Sequence, residues 1–146
     1  MKFTCTVIIQ KPIAQVIRLF DNPKNLKEWQ DGFISTTPIS GKPGAKGSKS
    51  AIKIRAGKSI IEMTETILVK NLPDEMTALY EHKQTHNTAT YRFKPVSPVS
   101  TQWTTEIHYT KYGDWPSRLI ATVFPGIFRK QTQKWLENFK RFAERN

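Results

Sequence analysis

The residues between Gly126 and Asn146 follow the spacing of one face of an α-helix. Steps of four, three, four and three residues separate a mostly aromatic stripe made of Phe128, Thr132, Trp135, Phe139 and Phe142. Lysine, arginine and glutamate occupy the other faces, which is typical of an amphipathic helix. Because each aromatic ring buries on the order of 150–250 Å², the stripe needs a large apolar partner surface. The pattern predicts a long terminal helix, whose stripe either packs into a closed core or also forms one wall of a cavity.

The start of the chain predicts one strand followed by two short helices. The segment from Lys2 to Gln10 is rich in β-branched residues, which favour a strand. Pro12 suits the first turn of a helix, where its missing N–H group is not needed, and this helix would bury Ile13, Val16, Ile17 and Phe20. Asp21-Asn22-Pro23 ends the helix and offers capping side chains for a second one, whose buried side would carry Leu26 and Trp29. Asp31-Gly32 then predicts a turn.

The middle of the chain alternates short β-type segments with turns. The predicted strands are Phe33 to Ser40, Ser48 to Ala56, Ser59 to Asn71, Glu75 to Lys83, Thr88 to Val96 and Gln102 to Tyr112. Neighbouring strands joined by such short turns run antiparallel. Pro125-Gly126 is expected to kink or interrupt the terminal helical region. The order is one strand, two short helices, six strands and a long helix, which indicates an α+β protein.

Length and composition limit the possible classes of protein. The 146 residues fit a single domain, residues 1–146, and no apolar run approaches the roughly 20 residues of a membrane span. The first ten residues do not read as a secretory signal. Cys5 is the only cysteine, so an intramolecular disulfide is impossible, and a cytoplasmic location is the simplest expectation.

The charge is strongly positive, with a formal net value of +11. The stretch from Gly41 to Ile61 contains no acidic residue, and its basic residues are Lys42, Lys46, Lys49, Lys53, Arg55 and Lys58. This basic hairpin is either a solubilising surface or a surface that docks on an anionic membrane or an acidic partner. Nucleic acid is not expected as a partner, because no motif of a nucleic-acid-binding fold is present.

The order of elements resembles the helix-grip fold of the START-like superfamily, also called SRPBCC. The segments that carry the resemblance are Ile9-Gln10-Lys11-Pro12 with Val16 and Phe20, Asp21-Asn22-Pro23 with Trp29, the loop from Gly41 to Gly47, Met63-Thr64-Glu65-Thr66-Ile67, and the ending from Phe139 to Glu144. The resemblance implies a seven-stranded, curved antiparallel sheet wrapped around the C-terminal helix, with two short helices between the first two strands. This superfamily includes polyketide cyclases, pollen-allergen-like ligand carriers and lipid-transfer domains, so fold alone does not set the function.

A sheet that grips a helix turns one face of each strand inward. Assigning the more apolar face inward selects Ile61, Met63, Glu65, Ile67, Val69, Ala78, Tyr80, His82, Ala89, Tyr91, Phe93, Trp103, Thr105, Ile107 and Tyr109. Apolar residues with a few polar groups are typical of a small-molecule pocket. The residues expected to contact a ligand are Trp29, Met63, Glu65, Tyr80, Tyr91, Trp103, Tyr109, Phe128, Trp135 and Phe139.

Glu65 is the one acid on this otherwise apolar face and is the candidate catalytic residue. Burial without a partner would raise its pKa and make it a general acid or base. The alternatives are that it pairs with a basic group or a tyrosine hydroxyl, or that it lies at the sheet edge. No metal site is expected, because His82, His86 and His108 are not accompanied by clustered ligands. The Gly41 loop is not a phosphate-binding P-loop, because strands flank it on both sides.

Three functions are compatible with these features. The first is binding of a hydrophobic or amphipathic small molecule, such as a lipid or polyketide, between the sheet and the C-terminal helix. The second is an enzyme of the cyclase or dehydratase kind that uses Glu65 and a cavity tyrosine. The third is docking of the basic hairpin on a membrane or an acidic partner. No cofactor is expected, and the sequence leaves a monomer and a homodimer equally open.

Overall fold

The computed structural model describes residues 1–83, 85–116, 119 and 122–146. Its helices are α1 (Ile13–Phe20), a 3₁₀ turn (Pro23–Asn25), α2 (Leu26–Trp29) and α3 (Phe124–Glu144). Its strands are β1 (Lys2–Ile9), β2 (Phe33–Ser40), β3 (Lys49–Ala56), β4 (Ser59–Asn71), β5 (Glu75–His82), β6 (Thr85–Ser97) and β7 (Ser100–Tyr112). They form one antiparallel sheet in the order β1-β7-β6-β5-β4-β3-β2. The predicted α+β helix-grip fold is confirmed.

The long helix α3 lies along β1, one of the two edge strands. Its polar side chains bond the free edge of that strand: Gln133 Nε2 donates to Thr6 O at 3.2 Å, and Lys140 Nζ donates to Ile8 O at 2.6 Å. Just beyond the strand, the backbone N–H of Gln10 donates to the Glu144 carboxylate at 2.8 Å. An uncovered edge strand is a template for pairing with another chain, and α3 therefore blocks this edge.

The opposite edge strand, β2, is protected by its own irregular shape. Its pairing with β3 shifts register between Phe33 and Ser35 and again between Pro38 and Ser40. Bulges twist an edge away from a flat pairing surface, and proline has no N–H to donate to a further strand.

Aromatic rings fill the space between the sheet and the helices. Trp103 and Phe139 are fully buried, with ring centroids 5.0 Å apart, and Phe20 and Trp29 from the two short helices pack against both. The predicted helical stripe is confirmed, with Phe139 and Phe142 buried and Phe128, Thr132 and Trp135 partly buried. In the part of the chain that the structure describes, every helix is too short or too polar to cross a bilayer.

Two corrections to the predicted pattern affect the inner face of the sheet. Strand β6 begins at Thr85 and not at Thr88, because pairing with β5 and β7 holds His86 and Asn87 in the sheet despite the low strand propensity of Asn. A bulge in β4 between Ile67 and Val69 places Val69 opposite Thr77, whose hydroxyl bonds Thr90 on the outer face. Val69 therefore points outward and not inward.

The terminal helix begins where its proline permits. Val123 lies in a turn, and Pro125 occupies the first turn of α3, where its missing N–H group leaves no intrahelical bond unmade. The predicted interruption at Pro125-Gly126 thus falls at the start of the helix.

Gly32, in the predicted Asp31-Gly32 turn, has a conformation that other residues rarely adopt. Its φ is +82°, and a Cβ atom at this position would lie 2.3 Å from Arg55 O. The backbone N–H of Arg55 donates to Gly32 O at 2.8 Å, so the glycine lets α2 pass directly into the β2–β3 hairpin.

Candidate functional site

A row of polar residues crosses the inner face of the sheet. Cross-strand pairing places Ser50 opposite Glu65, Glu65 opposite Tyr80, Tyr80 opposite Asn87, and Asn87 opposite Tyr109. Neighbouring strands lie about 4.8 Å apart, so these side chains follow one another at that interval. Directly paired residues share one face, and Tyr109 stacks on Phe128 of α3, with ring centroids 5.0 Å apart. The row is therefore on the face that the helix covers.

Three members of the inner face form a hydrogen-bonded chain, here called the Glu65–Tyr80–Tyr91 chain. The Tyr80 hydroxyl donates to Glu65 Oε2 at 2.8 Å, and the hydroxyl oxygens of Tyr80 and Tyr91 are 3.1 Å apart. Because Tyr80 uses its single proton on the carboxylate, the Tyr91 hydroxyl donates to Tyr80. Of the alternatives open for Glu65, the structure shows pairing with a tyrosine hydroxyl.

Two alanines create the space in which the tyrosines meet. Ala78 and Ala89 are paired directly and are almost fully buried. Tyr80 follows Ala78 by two residues on β5, and Tyr91 follows Ala89 by two residues on β6, so the two rings start on opposite sides of the alanine pair. The small methyl groups leave room above the sheet, and the rings lean towards each other across it.

Burial governs the acid–base properties of the chain. Removal from water raises the pKa of the Glu65 carboxyl above its ordinary value of 4.5, although the hydrogen bond from Tyr80 and the charge of Lys70 oppose this rise. Burial, together with the negative charge of Glu65, also raises the pKa of the Tyr80 and Tyr91 hydroxyls. Desolvation penalises the charged form of each group. The two tyrosines therefore keep their phenolic protons at neutral pH. The neutral form of Glu65 is more favourable than the neutral form of an exposed glutamate would be.

Tyr109 and Phe128 form a second part of the predicted site, near the start of α3. Burial raises the pKa of Tyr109 to about 12, so its hydroxyl is a donor at all ordinary pH values. Met63 lies two residues from Glu65 on the same face and is partly buried.

The remaining predicted ligand contacts belong to the aromatic core. Trp29, Trp103 and Phe139 pack against one another, with ring centroids 5.0 to 5.7 Å apart, and all three are almost completely buried. Trp135 contacts this group through Trp29, with ring centroids 6.5 Å apart, but Trp135 is only partly buried. Of these four residues, Trp135 is therefore the one with surface to offer a ligand in this conformation.

Trp135 also lines an open groove of about 810 Å³ beside α3. The groove is bounded by Asp31 and by one side of the helix, including Ile127, Lys130, Gln131 and Lys134. The Trp135 indole N–H is buried and has no hydrogen-bond partner among the described residues. A second depression, of about 500 Å³, lies at the Lys83 and Gly113 turns and contains no member of the Glu65–Tyr80–Tyr91 chain.

Sequence reasoning missed two members of the polar row, Ser50 and Asn87. Asn87 lies just before the predicted strand, which begins at Thr88. A two-residue turn after His82 would have placed Tyr80 opposite Asn87. His82, assigned to the inner face, donates from Nδ1 to Glu62 O at 2.8 Å.

Comparison with known proteins agrees with the fold. A search of curated proteins found no match. Among solved structures, a protein from Thermus thermophilus has a TM-score of 0.79 at 12% identity, covering 98% of this chain and 97% of that chain. Ara h 8.0201 has a TM-score of 0.77 at 10% identity, covering 100% and 99% of the two chains. The Zhui aromatase/cyclase from Streptomyces sp. R1128 has a TM-score of 0.73 at 11% identity, covering 99% and 94%.

At these identities, structural similarity shows the fold alone. Family membership comes from the sequence, because residues 1–144 match a family model described as polyketide cyclase / dehydrase and lipid transport. The matched residues include every strand of the sheet, the short helices, the Glu65–Tyr80–Tyr91 chain and α3. The chain therefore belongs to the polyketide cyclase/dehydrase and lipid transport family.

Proposed function

We propose that the protein binds an amphipathic small molecule between the sheet and α3. The apolar body of the ligand lies against the partly buried side chains of Met63, Phe128 and Trp135, and its polar group meets the Glu65–Tyr80–Tyr91 chain. The observation that carries the proposal is this chain of three hydrogen-bonding groups on an otherwise apolar inner face. A few polar groups in apolar surroundings are the usual composition of a small-molecule site.

The polar group of the ligand is a hydroxyl or a carbonyl, because the chain is suited to both. With Glu65 ionised, all protons of the chain point towards the carboxylate, and Tyr91 accepts a hydrogen bond from a ligand hydroxyl. With Glu65 protonated, Glu65 donates to Tyr80 and Tyr80 to Tyr91, so Tyr91 donates to a ligand carbonyl. The raised pKa of Glu65 brings the two forms closer in free energy.

The proposal is supported by the match to a family whose description includes lipid transport. It also agrees with the fold of Ara h 8.0201 and of the Zhui aromatase/cyclase.

Prodan, a neutral naphthalene fluorophore with a carbonyl group, is a suitable test probe. We expect prodan to bind with blue-shifted emission, and Tyr91→Phe to weaken its binding about tenfold, the value of roughly one hydrogen bond. The parent dimethylaminonaphthalene, which lacks the carbonyl, should bind the wild type and Tyr91→Phe equally. Tyr112→Phe is the matched control, because the Tyr112 hydroxyl donates to Tyr109 O outside the chain. Equal prodan affinity in all three proteins, or no binding to the wild type, would refute the proposal.

A second candidate function is proton transfer at the same chain. When Glu65 is neutral, it can protonate a ligand oxygen by proton transfer along Tyr80 and Tyr91. When Glu65 is ionised, its carboxylate can remove a proton from the carbon next to a ligand carbonyl. Dehydration of an aromatic β-hydroxy ketone, followed by absorbance of the enone, distinguishes this function from binding alone. If Glu65→Gln loses turnover but still binds prodan, catalysis is established. If the wild type and Glu65→Gln have equal turnover, catalysis by Glu65 is excluded.

A further inference from the structure

An exposed apolar patch lies at the start of α3, apart from the inner face of the sheet. It consists of Trp115, Val123 and Ile127, which are 41%, 44% and 55% exposed. The backbone N–H of Val123 donates to Leu119 O, and that of Ile127 donates to Val123 O, so Val123 and Ile127 follow one another on one side of a helical segment. We call these three residues the docking patch.

The tryptophan of the docking patch is held in place by aromatic packing. Its ring centroid is 4.0 Å from that of Phe124 and 6.0 Å from that of Phe128, and it is nearly parallel to the Phe128 ring, at 6°. Phe128 in turn stacks on Tyr109 of the sheet. A large exposed ring fixed by its neighbours loses little conformational freedom when it meets a partner, and tryptophan is enriched where proteins meet the headgroup region of a membrane.

The segment that carries the docking patch is uniformly positive. From Trp115 to Lys134 the sequence has no Asp or Glu, and its basic residues are Arg118, Arg129, Lys130 and Lys134. Lys130 and Lys134 are exposed and lie three and seven residues after Ile127, on the same side of the helix. Apolar and aromatic side chains beside lysine and arginine are the composition of helices that lie in the interface of an anionic bilayer.

The docking patch adjoins the groove beside α3. Ile127 belongs to both, and Lys130 and Trp135 continue the groove along the helix. A bilayer in contact with the docking patch would therefore face the end of the groove. An amphipathic molecule leaving that bilayer would meet the groove at Ile127 and Lys130.

We propose that the docking patch binds the surface of an anionic lipid bilayer. Trp115 and Ile127 enter the headgroup region, and Lys130 and Lys134 bind the lipid phosphates and carboxylates. This places the membrane contact on α3 and not on the basic hairpin from Gly41 to Ile61. The proposal does not depend on the small-molecule site, although it gives that site a source of ligand.

Sedimentation with vesicles tests the proposal on the full chain. Vesicles of phosphatidylcholine with roughly 30% phosphatidylserine should bind the protein, and vesicles of phosphatidylcholine alone should bind it at least about tenfold more weakly. Lys130→Gln with Lys134→Gln should weaken binding about thirtyfold, and Ile127→Ser by roughly threefold to tenfold. Binding to the anionic vesicles should decrease steeply with salt, because exposed charges are screened over about 10 Å at 0.1 M.

Two matched controls identify the surface. Ile60 is 56% exposed on β4, nearly the same exposure as Ile127, so Ile60→Ser removes an equal apolar area from another face. Lys42→Gln with Lys46→Gln removes two charges from the basic hairpin. If these controls reduce vesicle binding as much as the docking-patch variants, the docking patch is not the membrane surface, and the same holds if the wild type does not bind.

Fluorescence gives a second, independent readout. Brominated lipids should quench the emission of the wild type more strongly than that of Trp115→Phe, because Trp115 is the most exposed of the four tryptophans: Trp29 and Trp103 are buried in the core and Trp135 is partly buried. Equal quenching of the two proteins would contradict insertion of Trp115. Tyr91→Phe should bind vesicles like the wild type, so that failure of the small-molecule proposal and failure of membrane docking produce different results.

Discussion

At the scale of single residues, the position of one carboxyl group gives the inner face its chemistry. Glu65 lies among apolar side chains, accepts a hydrogen bond from Tyr80 and is linked through it to Tyr91. The sequence identified Glu65 as the unusual residue, because it is the one acid in an apolar alternation. It did not identify the contact between the two tyrosines, because their meeting depends on strand register and on the small size of Ala78 and Ala89.

The raised pKa of Glu65 predicts a pH dependence of stability. The folded protein holds the Glu65 proton more tightly than the unfolded chain, so this stabilisation is complete below the unfolded value of about 4.5 and is lost as pH rises through the folded pKa. The free energy of unfolding of wild type minus that of Glu65→Gln should therefore fall with rising pH above about 4.5, as measured by urea denaturation.

The control for this prediction is Glu62→Gln, which changes an exposed carboxyl on the outer face of the same strand. Its difference from the wild type should not show the same decrease. A wild-type advantage that grew with pH would mean that hydrogen bonding, and not burial, dominates the Glu65 environment.

At the scale of secondary-structure elements, α3 makes two sets of contacts, and its sequence pattern predicts only one of them. The aromatic stripe predicted its buried face, and Phe139 and Phe142 are buried as expected. The pattern predicted no partner for the polar face, yet Gln133 and Lys140 bond the free edge of β1, and Glu144 bonds Gln10 just beyond it. Periodicity reports which side of a helix is apolar, but it does not report which strand lies beneath the other side.

Lys140→Ala tests the contact between α3 and the edge of the sheet. Lys140 Nζ is 2.6 Å from both Ile8 O and Glu144 Oε2, and loss of these bonds should lower the free energy of unfolding by about 1–2 kcal/mol. Lys134→Ala is the control, since its ion pair with Asp31 at 3.0 Å is largely exposed, and its removal should change stability by less than about 0.5 kcal/mol. Equal losses in urea denaturation would show that the edge contacts add nothing.

At the scale of the whole molecule, charge opposes the compact state that the aromatic core stabilises. The net charge of +11 produces self-repulsion that grows as the chain condenses. Ion pairs such as Lys70–Asp21 at 2.6 Å and Lys2–Glu106 at 3.4 Å offset part of it, but lysine and arginine outnumber the acids 23 to 12. A large part of the positive charge therefore has no acidic counterpart within the chain.

Moderate salt should consequently stabilise the protein. Raising sodium chloride from about 20 mM to about 200 mM shortens the screening length from roughly 20 Å to below 10 Å, and we expect the midpoint of thermal unfolding to rise by roughly 3–5 °C. Replacing Lys42, Lys46 and Lys58 by Gln should reduce this increase, because less repulsion remains to be screened. A midpoint that fell with salt would mean that ion pairs outweigh the repulsion.

The sequence by itself determined the order and type of the elements, their antiparallel pairing and the apolar side of the terminal helix. These properties depend on neighbouring residues, whose spacing of two or between three and four decides which side of an element is apolar. Only the tertiary structure decided that Tyr80 and Tyr91 meet over Ala78 and Ala89, that Val69 turns outward, and that Trp115 packs against Phe124 and Phe128. These features depend on residues that are far apart in the chain. A single β-bulge or a change of strand register would alter which of them meet.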